Sequence, residues 1–196
     1  MKRIVYVKDI PIGNGNIVIQ SMTNTKTSNI TDTVKQINEL ESYGCQIVRV
    51  AIKDCNDCNA IKEIKKQINI PIVADIHFDY KLALLSIENG VDKIRINPGN
   101  MPNKHLEQIV NACKEKNIPI RVGVNSGSLS QDIVDKYGVT PTALVEEAKR
   151  EIKRLEDLDF YNIIISLKAT DINTFIEANI LAKKTFNYPL HIGLTE

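Results

Sequence analysis

Short apolar, β-branched runs recur along the chain, each followed by a polar tip and then an amphipathic helical pattern ending near Gly or Asn. This alternation restricts the fold more than any other feature, because near-continuous apolar strands between helices imply a parallel sheet covered on both faces. The runs are Ile17–Gln20, Ile47–Val50, Ile72–Ile76, Lys93–Ile96, Ile120–Val124, Ile163–Ser166 and Leu190–Leu194. Between them, Val34, Ile37 and Leu40 stop at Gly44, which suits a left-handed C-terminal cap. Leu106, Ile109, Val110 and Cys113 form an i, i+3, i+4, i+7 stripe. Thr140-Pro141 supplies an N-cap with Pro at the first helical position, ahead of Leu144, Ala148, Ile152 and Leu155.

Two folds satisfy the alternation, a (β/α)8 barrel and an open doubly wound sheet. Polar residues stand at the end of every strand and not at one switch point, which favours the TIM-type barrel. Seven core strands follow an N-terminal strand at Ile4–Val7 that is expected to cap the bottom, and a closed barrel needs eight. The expectation is therefore one α/β domain over residues 1–196, a TIM-type barrel truncated after its seventh strand. Gly13-Asn14-Gly15-Asn16 reads as the hairpin turn between the capping strand and the first barrel strand.

Composition narrows the function. Twenty-five Lys and Arg against twenty-four Asp and Glu leave a net charge of +1, which gives no support to nucleic-acid or membrane-surface binding. No apolar run approaches the ~20 residues of a membrane span, and the start is too short and strand-like for a signal peptide. A cytoplasmic protein is expected.

Barrel enzymes work at the C-terminal ends of their strands. Residues two apart share a face, so Asp75 with His77, Arg95 with Asn97, Arg121 with Asn125 and Ser166 with Lys168 can each point into the mouth. Glu196 shares the parity of Ile192 and Leu194, and parity does not place it. Arg49, Arg95, Arg121 and Lys168 are four cations at four strand ends. Strand-end salt bridges are the plain explanation, but Asp75 and Glu196 offset only part of that charge. Like charges buried together cost several kcal/mol per ion unless countered, so the economical reading is a phosphorylated ligand. Cys55 and Cys58 have CxxC spacing without a second ligand pair, so no metal is expected in this chain. His105 is expected to be solvated, and His191 is open between a core and a ligand role.

The strand tips resemble those of the 4-hydroxy-3-methylbut-2-enyl diphosphate synthase family. The blocks are Gln20 to Thr25, Val48 to Ala51, Val73 to Tyr80, Lys93 to Asn100, Arg121 to Leu129, Ser166 to Ala169 and Tyr188 to Glu196, in order along the whole chain. The resemblance implies a homodimeric oxidoreductase of the methylerythritol phosphate route to isoprenoids. It would open and dehydrate 2-C-methylerythritol 2,4-cyclodiphosphate with electrons from ferredoxin or flavodoxin. A [4Fe–4S] cluster would be held by a separate C-terminal domain beyond this sequence, leaving the chain inactive alone. Carried over by motif, Arg49, Arg95, Asn97, Arg121, Asn125 and Lys168 would bind the diphosphate. Asp75, His77 and Glu196 would meet the hydroxyl end as catalytic groups. Two alternatives stay open: a transferase barrel of the dihydropteroate synthase kind, and a non-catalytic binder of a phosphorylated ligand.

Overall fold

A computed structural model describes residues 3–76 and 79–193. An antiparallel ribbon comes first, β1 (Val5–Val7) against β2 (Ile10–Ile12). Six parallel strands follow in chain order: β3 (Gln20–Met22), β4 (Ile47–Ala51), β5 (Ile72–Asp75), β6 (Lys93–Ile96), β7 (Ile120–Asn125) and β8 (Ile163–Lys168). The crossovers carry α1 (Ile30–Ser42), α2 (Cys55–Lys65), α3 (Tyr80–Glu88), α4 (Asn103–Glu115), α5 (Gln131–Tyr137) and α6 (Pro141–Glu156), and α7 (Ile172–Thr185) follows β8.

Local chemistry explains where these helices start. Asn29, Asp54, Thr140 and Asp171 each stand just before a helix and accept backbone N–H bonds from its first turn. Gly44 then ends α1 at φ 91°, a conformation open to glycine without strain.

Alternate residues of each strand face opposite ways. Val48, Val50, Ile72, Ala74, Ile94, Ile96, Ile120, Val122, Ile163, Ile165 and Leu167 pack outward with the helices in one continuous core. Each fully buried aliphatic side chain there contributes about 1.5–3 kcal/mol. The inner face holds a second, smaller cluster in which Val5 and Val7 of the ribbon meet Ile47, Val73 and Ile164. In a flat sheet β4 and β8 would lie roughly 19 Å apart, four strand spacings. Their meeting on one ribbon requires a curled sheet, as in a barrel, with β1 and β2 plugging its bottom.

Three expectations are corrected. The first barrel strand was expected at Ile17–Gln20 but pairs only over Gln20–Met22, leaving Ile17 91% exposed. The Ile19 carbonyl accepts from Gln46 and Ile47 N–H, so the ladder cannot begin until β4 begins. The hairpin turn is Lys8-Asp9, with Lys8 at φ 57°, and Gly13 to Asn16 follows β2 as a bend. The run at Leu190–Leu194 is, among the described residues, a single parallel bridge of Leu190 to Ile165.

Candidate functional site

Four strands carry the cations to one place. Arg49 of β4, Arg95 of β6, Arg121 of β7 and Lys168 of β8 all take inward positions because their neighbours pack outward. β7 and β8 run one and two residues further than expected, so Asn125 and Lys168 pair within the ladder itself. These four cations with Asp75, Asn125, Ser166, Thr170 and the turn Ser126–Ser128 line a cavity of about 540 Å³.

Among the described residues of that cavity, Asp75 is the one carboxylate. Arg95 Nη1 donates to Asp75 Oδ1 at 3.2 Å, and Arg49 Nε lies 3.7 Å from Asp75 Oδ2. Arg49 also rests on Met22, with its Nη2 2.8 Å from the sulfur. Gly123 gives Arg95 room: a Cβ there would stand 3.0 Å from its Nε. Arg121 is 1% exposed, and among the described residues nothing accepts from its Nε and Nη1. Burial, then Arg49 and Arg95, push its pKa down to about 9, with Asp75 pulling the other way. Burial, then Arg49, Arg121 and Arg95, likewise lower Lys168. Arg49 is lowered by burial, opposed by Asp75. Such a field has unmet donors and excess positive charge, the state an anion with several oxygens relieves.

Of the residues singled out from sequence, Arg49, Asp75, Arg95, Arg121, Asn125 and Lys168 are brought together. Asn97 is not, since its Oδ1 accepts from Gly99 N–H at 3.2 Å and caps the turn Pro98–Asn100. His77 and Glu196 lie outside the described residues. His191 is half-buried, and burial with Arg121, Lys93, Arg49 and Lys168 drives its pKa down to about 2, so it is a neutral imidazole. His105, expected to be solvated, is half-buried, with its ring stacked on Tyr80 at a centroid distance of 3.8 Å.

Two sets of residues escaped the sequence reading. Lys93 has the parity of Arg95 and Asn97 but opens its strand, where no tip was sought. It is 2% exposed, and its Nζ reaches across the barrel to Gln20 Oε1 at 2.8 Å. Glu147 and Glu151 lie on the shoulder of α6, where a solvated face is the usual reading. Instead, Glu147 accepts from Ser130 N–H at 2.9 Å and Glu151 from Gly99 N–H. Arg154 completes the clamp by donating to the carbonyls of Pro98 and Met101.

The cysteines do not form a ligand set. Cys55 is exposed at the start of α2, whereas Cys58, one turn further on, is buried, 3.5 Å from the Leu82 carbonyl and from Ser86 Oγ. Cys45 and Cys113 are buried elsewhere. No group of three or more His, Cys, Asp or Glu is gathered among the described residues.

A family model described as the GcpE TIM-barrel domain matches residues 2–196. Proteins named 4-hydroxy-3-methylbut-2-en-1-yl diphosphate synthase (flavodoxin) from Bacillus cytotoxicus and Bacillus anthracis are each 58% identical to it over 198 residues. Each alignment covers 99% of this chain and 54% of the relative, so the chain spans about half the length of the curated relatives it matches. Among solved structures, type I 3-dehydroquinate dehydratase from Clostridium difficile aligns at TM-score 0.74 and 16% identity, covering 100% of this chain and 82% of that one. Dihydropteroate synthase from Yersinia pestis aligns at 0.70 and 10%, covering 97% and 75%. Identities this low show a shared barrel fold and nothing of the chemistry.

Proposed function

The chain belongs to the GcpE TIM-barrel family, and from that premise we propose that it is the substrate-binding barrel of a 4-hydroxy-3-methylbut-2-enyl diphosphate synthase. The observation that carries the reading is the cavity itself, where four inward cations from four strands face, among the described residues, one carboxylate. The ligand is 2-C-methylerythritol 2,4-cyclodiphosphate, whose diphosphate bridge brings oxygens that can accept from Arg49, Arg95, Arg121 and Lys168. As the ring C–O bond breaks, negative charge grows on the released diphosphate oxygen. Cations already in place stabilise that charge without reorganising, a preorganised electrostatic effect.

Asp75, between Arg49 and Arg95, orients both guanidinium forks. In this reading Glu196 or His77 gives the proton to the departing hydroxyl. The reduction requires electrons, which a [4Fe–4S] cluster fed by flavodoxin or ferredoxin supplies. The four cysteines of this chain do not fit that group, so its ligands belong to residues outside these 196. We place the protein in the cytoplasm, working as a homodimer.

Calorimetric titration of the full chain with the cyclodiphosphate tests the reading. Binding that inorganic pyrophosphate displaces is expected. Binding that ignores pyrophosphate, or no binding at all, overturns it.

A further inference from the structure

Beneath the cavity lies a layer the proposed reaction does not use. Lys93 occupies the inward position of β6 one step below Arg95, and its register partner on β5 is Val73, one step below Asp75. The side chain does not reach solvent. It crosses the barrel interior to Gln20 of β3, three strands away, and that uncharged amide is its hydrogen-bond partner. The groups facing it are Arg49 from β4, Arg121 from β7 and His191 from the segment after α7, with Lys168 of β8 higher up. From below, the ribbon presents Val5 and Val7 to the same interior. Among the described residues of the cavity the carboxylate is Asp75, and it is engaged by Arg95 and Arg49.

A cation buried among cations without a counter-charge is the arrangement in which a side chain gives up its proton. Groups of low intrinsic pKa yield first: His191 is already neutral, lysine lies about two units or more below arginine, and of the two lysines Lys93 is buried while Lys168 is only half-buried. Burial, then Arg121 and Arg49, lower the Lys93 amine well below its ordinary value, whereas Arg121 at about 9 still keeps its charge at neutral pH.

We propose that Lys93 is a proton-accepting positioning residue of the anion site: it is a neutral amine while the barrel holds no anion, and takes a proton from solvent when a diphosphate-type anion docks above it. The inference rests on the cavity being an anion site. Its physical basis is reciprocal, since an anion that favours the ammonium form is itself bound more tightly by it. The charge of the site is thereby matched to the ligand: the resting barrel carries one fewer buried cation, and the bound state gains it back. Gln20 holds the amine in place in both states, because either form donates to a carbonyl oxygen.

The test is the number of protons taken up when inorganic pyrophosphate binds the full chain. Titration calorimetry at one pH in buffers of different ionisation heat gives that number. Pyrophosphate's own titration is common to all variants and cancels in the difference. Wild type is expected to take up about one proton more per pyrophosphate than Lys93→Met. Lys93→Arg, which keeps its charge in both states, is expected to lose the same proton and serves if Lys93→Met fails to fold. His191→Gln is expected to leave the count unchanged. Equal counts in wild type and both Lys93 variants, with pyrophosphate still bound, overturn the inference and leave the anion site standing. So does loss of the proton in His191→Gln with retention in Lys93→Met. Failure of wild type to bind pyrophosphate removes the anion site and this inference together.

Discussion

Arg121 carries two donor atoms, Nε and Nη1, that nothing in the described structure satisfies. Buried donors in that state cost about 1–3 kcal/mol each, so the residue opposes folding until an acceptor arrives. Arg121→Met is therefore expected to raise stability by on the order of 1 kcal/mol and to weaken pyrophosphate binding by about 1.5–3 kcal/mol. Denaturant titration and calorimetry on one preparation read both; a variant that unfolds more easily yet binds normally makes Arg121 a structural cation. Gly123→Ala acts on the same site from the side. Its methyl would press on Arg95 Nε and Nη2 at 3.0 and 3.2 Å, and the guanidinium, being the end of a flexible chain, moves. Pyrophosphate affinity is expected to fall by roughly 1 kcal/mol as the fork loses alignment, with the melting temperature little changed. Strand parity made Arg95, Arg121, Asn125 and Lys168 legible from sequence, since alternation decides which way a strand residue points. It did not reveal Lys93, because a lysine at a strand entrance is usually solvated and parity is silent about depth. Nor could it show that Asn97 turns back to cap its own turn.

At the scale of elements, α6 joins the core to the mouth. Its apolar stripe was readable from spacing, but the acids on its shoulder were not, because a helical pattern does not say which loops cross that shoulder. Here the Pro98–Asn100 turn and the segment before α5 both do, held by Glu151, Arg154 and Glu147. Burial pushes the Glu151 carboxyl up to about 7, with Arg154 opposing. A raised carboxyl pKa means the folded chain holds this proton more tightly than the unfolded chain. No penalty exists below the unfolded value near 4.5; stability then falls as pH rises towards 7 and stays lower above it. Glu151→Gln keeps an acceptor for Gly99 N–H and removes the titration. Its melting temperature relative to wild type is expected to increase between pH 5 and pH 8, by an amount equivalent to about 2 kcal/mol; a pH-independent difference refutes the assignment. The misplaced β3 and hairpin turn have related causes. Ile17 has strand composition but lies before the level at which β4 begins, and Lys8 adopts a positive φ that glycine-based turn rules do not anticipate.

For the whole molecule, the proposed function separates binding from redox chemistry. The curled sheet assembles the cationic cavity from β4 to β8 and the turn after β7, all within the described residues. An electron carrier is a different requirement: an iron–sulfur cluster takes about four ligands, as thiolates. Cys113 is buried and its thiol pKa is raised by that burial; Cys58 is raised by burial too, with Ser86 opposing. Cys45 lies with its sulfur 3.0 Å from the Ile47 carbonyl, near the bottom of β4, and Cys55 is exposed on α2. Cys55 and Cys58 share α2, but Cys113 stands on α4 and Cys45 just before β4, and the fold would have to be dismantled to bring all four together. The 196 residues expressed by themselves are therefore expected to bind pyrophosphate and to show no reductive ring opening with a competent electron donor. Anaerobic reconstitution with iron and sulfide, followed by visible absorption, iron analysis and product assay, decides the matter. A stoichiometric cluster on these cysteines, or product from these residues alone, would show that the barrel carries its own redox centre and that binding and reduction are not divided as argued here.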